Sequence, residues 1–252
     1  MTKIILSGCN GRMGQAITRL AEANENCEIV CGFDINTEQK NNYPVFSNYS
    51  DFDGEADVVI DFSNPANFSA LSSFIKERKL ACVIATTGLS KDQINELHKL
   101  AETNAVFYSA NMSLGISLIT DFAAKAARLL EGSFDIEIIE KHHNQKLDAP
   151  SGTALAIADA ISESLVTAPQ YVYDRHSVRK KREPNEIGIH AVRGGTIVGE
   201  HSVLFAGNDE IIEIKHTATS REVFAVGAVK AGIFMKDKPA GMYNMKDLIN
   251  ES

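Results

Sequence analysis

The segment Glu140 to Ala154, EKHHNQKLDAPSGTA, gathers two adjacent histidines, a lysine, an aspartate and a Pro-Ser-Gly-Thr turn. An apolar run from Ala154 to Leu165 follows, so the turn reads as a helix N-terminus. Pro150 cannot continue a preceding ladder, and Ser151 or Thr153 can cap the exposed N–H groups. Such a terminus holds an anion without a metal. Beside it stand a group that titrates near neutral pH, His142 or His143, and a fixed cation, Lys146. An anion cradle flanked by proton donors suits a small carboxylate that is reduced or exchanges a proton.

Adjacent strand residues point to opposite faces, so His142 and His143 do not easily share one metal. One of them faces the reaction centre and the other the substrate's edge. Asp148 either orients a charged neighbour or shapes the turn. His98, His176 and His190 read as structural hydrogen bonders, and His201 and His216 as core or interface hydrogen bonders.

A second constellation is the loop Gly8-Cys9-Asn10-Gly11-Arg12-Met13-Gly14, placed between an apolar strand and a helical run. Small residues there let a backbone approach a pyrophosphate seated on the helix N-terminus. Asn10 stands where a middle glycine is usual, and asparagine tolerates the left-handed conformation. Asp34 ends the next strand, about twenty residues further on, where a carboxylate bonds an adenosine ribose. Asp34 repels a 2′-phosphate and favours NADH, whereas Arg12 and Lys40 could reach that phosphate and admit NADPH. Two further loops, Ala85-Thr86-Thr87-Gly88 and Ser109-Ala110-Asn111-Met112, follow strands and either meet the nicotinamide half or cap helices through Thr87 and Asn111.

The elements that must position these groups change character along the chain. Strands at Lys3 to Ser7, Glu28 to Phe33, Asp57 to Phe62, Ala81 to Ala85 and Ala105 to Tyr108 alternate with helices at Met13 to Ala23, Phe68 to Lys79 and Ser90 to about Glu102. That alternation predicts an α/β fold, a Rossmann-type doubly wound parallel sheet with helices on both faces. A helix at Ile116 to Leu130 and a strand at Asp135 to Lys141 follow. Beyond the Ser151 helix come a polar loop, Thr167 to Glu186, and strands at Ile187 to Val192, Thr196 to Phe205 and Glu210 to His216. Those strands predict a second, α+β domain on a mixed sheet. The chain then offers a helix rich in small residues, Arg221 to Met235, and a short MKDLI helix. We expect a dinucleotide-binding domain over 1–113, to which 222–252 returns, and a substrate-binding and oligomerisation domain over 114–221. Hinges are expected near Asn111 to Ser113 and near Ser220.

The 252 residues allow one large or two modest cores, and 44% hydrophobic content marks a globular chain. A net charge of −8 argues against a nucleic-acid partner. The basic run Arg179 to Arg182 reads as a solvated loop, or else as an anion or subunit contact. None of Cys9, Cys27, Cys31 and Cys82 forms a CxxC pair, so no zinc site is expected. No apolar run approaches the roughly 18 residues of a membrane helix, and no leader pattern opens the chain. A cytoplasmic protein with no membrane partner is the expectation.

Together these residues resemble the 4-hydroxy-tetrahydrodipicolinate reductase (dihydrodipicolinate reductase) family of diaminopimelate and lysine biosynthesis. The resemblance spans essentially the whole chain. It rests on GCNGRMG, DVVIDFSNP, ATTG, SANMSLG, GIHAVRGGTIVGEHSVLF and, most specifically, EKHHNQKLDAPSGTA. It implies an oxidoreductase that uses NADH or NADPH on a small dicarboxylate, as a homotetramer without a catalytic metal. His142 is then the acid/base residue and Lys146 the proton donor, while His143, Ser151, Gly152 and Thr153 hold the substrate carboxylates. Gly8, Cys9, Asn10, Gly11, Arg12, Met13, Asp34, Ala85, Thr86, Thr87, Ser109, Ala110, Asn111 and Met112 would contact the dinucleotide. Ala85 stands where the family often has glycine, and Ile35 where many members carry an arginine that partners a 2′-phosphate.

Two rival readings remain at this level. A semialdehyde dehydrogenase needs a nucleophilic cysteine in its substrate domain, yet every cysteine here precedes residue 83. A non-catalytic dinucleotide sensor needs no proton donors beside an anion cradle.

Overall fold

The structure, a computed structural model, describes residues 1–251. The chain forms two compact units, one of Met1–Leu114 with the chain from Glu222 onward, the other of Gly115–Arg221.

The first unit runs β1 (Thr2–Ser7), α1 (Arg12–Glu22), β2 (Cys27–Phe33), β3 (Val45–Phe46), β4 (Val58–Asp61), α2 (Phe68–Arg78), β5 (Ala81–Ile84), α3 (Lys91–Leu100) and β6 (Ala105–Tyr108). Its strands are short apolar runs in which Ile4, Ile5, Val59, Ile60, Val83 and Ile84 are fully buried. Runs buried on both faces mark a parallel sheet covered by helices. Alternate side chains divide between two cores. Ile4, Leu6, Ile60 and Val83 share one with α1, while Ile5, Val59, Cys82 and Ile84 share the other with α2 and α3. Ser90 starts α3 with a reciprocal cap, its hydroxyl accepting the Gln93 N–H at 3.2 Å while Gln93 accepts the Ser90 N–H at 2.9 Å.

The second unit takes in most of α4 (Leu114–Leu130), then β7 (Asp135–His142), α5 (Gly152–Ser164), β8 (Gln170–Val172), β9 (Glu186–Arg193), β10 (Gly199–Ala206) and β11 (Ile211–Ala218). The sheet order is β11-β10-β7-β9-β8, antiparallel at β10 and parallel among β7, β9 and β8. One face is covered by α4 and α5, where Ile138, Ile189, Val203 and Phe205 meet Ala123, Ala127, Ile157 and Ile161.

The chain then adds α6 (Glu222–Met235), β12 (Gly241–Tyr243) and α7 (Met245–Asn250) to the first unit. The sheet there becomes β12-β6-β5-β4-β1-β2-β3, parallel throughout. Its order reverses beside β1, and the crevice beyond the strand ends at that point is where ligands of open α/β sheets lie. The small residues of α6 bring it close to the sheet: a Cβ at Gly232 would stand 2.8 Å from the Ile60 side chain.

Sequence periodicity does not reveal β3, β8 or β12, which have two or three residues each and acquire strand geometry from their neighbours. The stretch expected as a polar loop, Thr167 to Glu186, contains β8 and is fastened by charge. Arg182 donates to Asp135 at 2.7 Å and Glu137 at 3.1 Å, and Lys180 lies 3.3 Å from Glu186. The basic run is therefore partly ion-paired to the sheet rather than wholly solvated. Among the described residues no helix is long and apolar enough to cross a membrane.

Candidate active site

Register across the second sheet explains why a site forms at one end of it. Successive core-facing positions of β7 are Ile136, Ile138, Glu140 and His142. Beside Ile136 and Ile138 stand Ile187 and Ile189 of β9, with Phe205 and Val203 of β10 on the other side. In the next rows His201 of β10 pairs with Glu140, His216 of β11 with His201, and Arg193 of β9 with His142. The face thus turns from apolar to ionisable within one residue pair. The N-terminus of α5 meets this polar end: the Ser151 N–H donates to Glu140 at 3.0 Å, and its hydroxyl lies 3.1 Å from His201 Nε2.

Glu140 is fully buried and is the hub. Arg193 grips both carboxylate oxygens at 2.7 Å, and His142 Nδ1 lies 2.6 Å from Oε2. Burial alone would raise the Glu140 carboxyl, but bonds from Arg193, His142 and the Ser151 N–H outweigh it and hold the group below the usual carboxylate range. An ionised carboxylate only accepts, so Nδ1 of His142 donates and Nε2 is the nitrogen left for chemistry. A Cβ at Gly199 would stand 3.1 Å from that Nε2, so glycine there leaves the ring edge uncrowded.

Lys146 pairs with Asp148 at 2.9 Å, and this bond holds the exposed Asp148 carboxyl below its usual range. Asp148 shows both of the roles open to it: it pairs with Lys146, and its carboxylate also takes backbone N–H groups of the turn, that of Gly152 among them. Arg193 also donates to the Asp148 carbonyl at 2.6 Å, tying the Lys146 loop to the same hub. His143 lies just beyond β7, half-buried. Ser151 is the helix cap, accepting the Ala154 N–H at 3.1 Å, and Gly152 is exposed with open space where a Cβ would stand. Thr153 follows in the first turn.

Sequence reasoning missed Glu140 and Arg193 as members of the site, whereas His201, read as a core or interface hydrogen bonder, makes a buried bond of that kind to Ser151. The available signal was Glu140 two residues before His142 on an alternating strand, which puts both on one face. Nothing in the sequence pairs β9 with β7, so Arg193 had no such signal.

Burial lowers His201 to about 4, with the neighbouring basic groups His142, His216 and Lys146 adding to it against the opposing pull of Glu140. Its folded value lies below the unfolded 6.5, so the unfolded chain binds more protons between those limits. The resulting stability is complete above pH 6.5 and declines as pH falls toward about 4, by roughly 3 kcal/mol. Urea unfolding followed across that range will show the decline, and His201→Gln will flatten it. An equal slope in the two proteins would dismiss this assignment.

In the first unit, the glycine loop follows β1. Gly8 adopts φ +80°, and a Cβ there would stand 2.6 Å from the Phe62 carbonyl oxygen. A Cβ at Gly14 would overlap the carbonyls of Gly8 and Cys9, so that position requires glycine. Asn10, which could tolerate the left-handed conformation, does not adopt it. Its side chain instead donates to the carbonyls of Asn36 and Glu38 at 2.6 and 2.9 Å, and its N–H to Asp34 at 2.9 Å. Asn10 therefore clamps the loop after β2 against the glycine turn. Gly11 donates to Gly8 at 3.1 Å, and Arg12 is exposed at the start of α1.

Cys9 offers backbone only: its side chain is buried and its thiol is pushed up to about 11 by burial, then by Asp34. Burial likewise takes Cys31 to about 12 and raises Cys27 and Cys82, so the thiols are poor nucleophiles at neutral pH.

Met13, Ala85, Thr86, Thr87, Ala110 and Met112 line a cavity of about 290 Å³ at the strand ends. Thr86 donates to buried Asp61 at 2.6 Å, which fixes that loop. Ser90, not Thr87, caps α3. Ser109 donates to the Asn111 carbonyl at 2.7 Å, and the Asn111 side chain accepts the Ser113 N–H at 2.9 Å, so these two residues shape the loop that presents Ala110 and Met112.

Known proteins match this arrangement along the whole chain. The profile of the dihydrodipicolinate reductase N-terminal domain matches residues 2–112, and that of its C-terminal domain residues 115–249. A 4-hydroxy-tetrahydrodipicolinate reductase of Clostridium tetani is 50% identical over 250 residues, covering 99% of this chain and 98% of its own. One from Caldanaerobacter subterraneus is 50% identical over 254 residues, covering 100% and 99%. The solved structure of a dipicolinate-bound dihydrodipicolinate reductase from Paenisporosarcina superposes with a TM-score of 0.81 at 28% identity, covering 97% of each chain.

Proposed function

The chain belongs to the dihydrodipicolinate reductase family, and on that premise we infer that it reduces 4-hydroxy-tetrahydrodipicolinate to tetrahydrodipicolinate with NAD(P)H, in diaminopimelate and lysine biosynthesis. The observation that carries the assignment of roles is the Glu140 hub, which joins an oriented imidazole, the Lys146 loop and the open N-terminus of α5.

The substrate ring carries two carboxylates. The first-turn N–H groups of Gly152 and Thr153 supply donors for one of them, on a turn that the Ser151 cap holds in shape. His143 serves the substrate's edge. Loss of water leaves a conjugated cyclic imine, whose ring gains electron density as it is reduced. The Lys146 ammonium gives a proton to offset that density, and His142, through Nε2, supports the transfer. The bound nicotinamide supplies the hydride; the protein supplies position and charge. The glycine turn fits such a cofactor, since its tight course leaves no room for a Cβ at Gly8 or Gly14 against the carbonyls of Phe62, Gly8 and Cys9, and a turn of that kind can bring backbone N–H groups to a pyrophosphate.

NADH is the cofactor we favour, or at least an equal to NADPH. Asp34 is held just after β2 by the N–H groups of Asn10 and Asn36, at 2.9 and 3.0 Å, where it would bond ribose hydroxyls and repel a 2′-phosphate. Ile35 beside it is 92% exposed and offers no charge, and Lys40 is paired with Glu38 at 3.4 Å. Steady-state kinetics will give kcat/KM with NADH at least equal to that with NADPH. A strong NADPH preference would refute this use of Asp34 and Ile35.

We further place the protein in the cytoplasm as a homotetramer assembled through the second unit's sheet, whose other face carries Val192, 44% exposed. Sedimentation of the full chain as a monomer would contradict the tetramer, and recovery in a membrane fraction the location. The reaction itself is tested by NADH consumption with the freshly made condensation product of pyruvate and aspartate semialdehyde. No consumption with that mixture, using either nicotinamide, would sink the reading.

A further inference from the structure

We propose that Glu140 is a positioning residue for the reduction: it fixes the tautomer of His142 and, through Arg193, holds the Lys146 loop and the Ser151 turn in one arrangement. The proposal rests on the role given above to His142. All four accepting positions of the buried carboxylate are used, by donors from three elements: His142 of β7, both terminal nitrogens of Arg193 of β9, and the N–H of Ser151 before α5. Arg193 carries the linkage one step further, to the Asp148 carbonyl at 2.6 Å. Lys146 lies on that loop and is paired with Asp148 at 2.9 Å.

A role in core packing alone does not account for this arrangement. A buried ion pair is often no more stabilising than apolar residues of similar volume. On the same strands, two rows away and one, Ile136 with Ile187 and Ile138 with Ile189 fill equivalent core-facing positions. The carboxylate appears only where β7 reaches the imidazole. There its chemistry is specific: an ionised acceptor on Nδ1 leaves Nε2 as the one ring nitrogen that can give or take a proton. His201 adds a second constraint, its ring 5.3 Å from that of His142 and edge-on to it, while its Nε2 bonds the Ser151 hydroxyl.

The test is Glu140→Gln, which keeps the shape but turns a donor amide toward groups that are themselves donors. We expect kcat to fall on the order of 100-fold or more, with the KM for NADH unchanged. Nitrogen-15 NMR of the His142 ring will show a protonated Nδ1 in the parent and a mixture of tautomers in the variant. A purely structural role would reduce active enzyme in proportion to the folded fraction and leave the ring tautomer of that fraction as it was. Either that result or a parent ring protonated at Nε2 alone overturns the proposal. Should Glu140→Gln fail to fold, Arg193→Lys tests the other arm. It keeps the charge but loses the two-pronged grip, and we expect kcat down about 10-fold with the Nδ1–H tautomer retained. Full activity there would overturn the coupling to the Lys146 loop. His142→Gln, measured in parallel, separates the two readings. Unchanged turnover in that variant removes His142 from the mechanism. Unchanged turnover in Glu140→Gln beside an inactive His142→Gln removes only the positioning role.

Discussion

Replacing Lys146 with alanine is expected to lower kcat by about 1000-fold or more while leaving the dissociation constant for NADH nearly intact. A positioned general acid contributes about 100- to 10,000-fold, and a fixed charge beside developing negative charge adds to it. Lys146 supplies both, on a loop held by Arg193 and with its ammonium steadied by Asp148. The affinity for NADH is spared because Lys146 belongs to the unit Gly115–Arg221, whereas the glycine turn and Asp34 belong to the other. Lys146→Arg sharpens the test, since it keeps the positive charge but holds its proton too tightly to give it. It should restore part of the substrate affinity and little of the turnover. Stopped-flow reduction and NADH fluorescence titration read the two quantities separately. Turnover unchanged in Lys146→Ala would take the residue out of the mechanism and reopen the sensor reading.

The sequence discloses those parts of the fold that depend on local pattern. Buried strands such as Val58–Asp61 read as strands because they are short apolar runs, and β7 because it alternates. Helix starts at Ser90 and Ser151 are legible because a cap is a matter of a few adjacent residues. The candidate site is legible where it is contiguous, from His142 to Thr153. It is illegible where partners arrive from distant strands. Arg193 sits beside His142 only because β9 runs parallel to β7 in a particular register, and no local signal specifies that pairing. The clamping role of Asn10 is hidden for a related reason. Its carbonyl partners at Asn36 and Glu38 belong to a loop whose return to the glycine turn is a tertiary event. The edge strands β3 and β12 escape notice because a strand of two or three residues has no period to detect.

The small residues of α6 give the second large effect, and it falls on stability. A Cβ placed on Gly227 would lie on top of the Met112 carbonyl oxygen, far inside the 3.0 Å that real Cβ atoms keep. That neighbour is backbone, with no rotamer to turn aside, so either the helix or the 109–113 loop must move. The helix cannot shift freely, because Ala225, Ala228, Val229 and Ala231 on it are buried in the core shared with β1 and β4. Overfilling a packed interior costs typically 1–3 kcal/mol and occasionally more, and a rigid neighbour sets the upper end. We therefore expect Gly227→Ala to lose about 3 kcal/mol or more, lowering Tm by roughly 10 °C. Because Met112 and Ala110 line the cavity at the strand ends, displacement of their loop should also weaken NADH binding. Gly194→Ala is the matched control, since a Cβ there meets nothing within 4 Å and should change stability by no more than about 0.5 kcal/mol. If thermal unfolding finds Gly227→Ala as stable as the parent, α6 does not sit against that loop as closely as the structure has it, and the seating of the cofactor cavity on the returning helix must be abandoned with it.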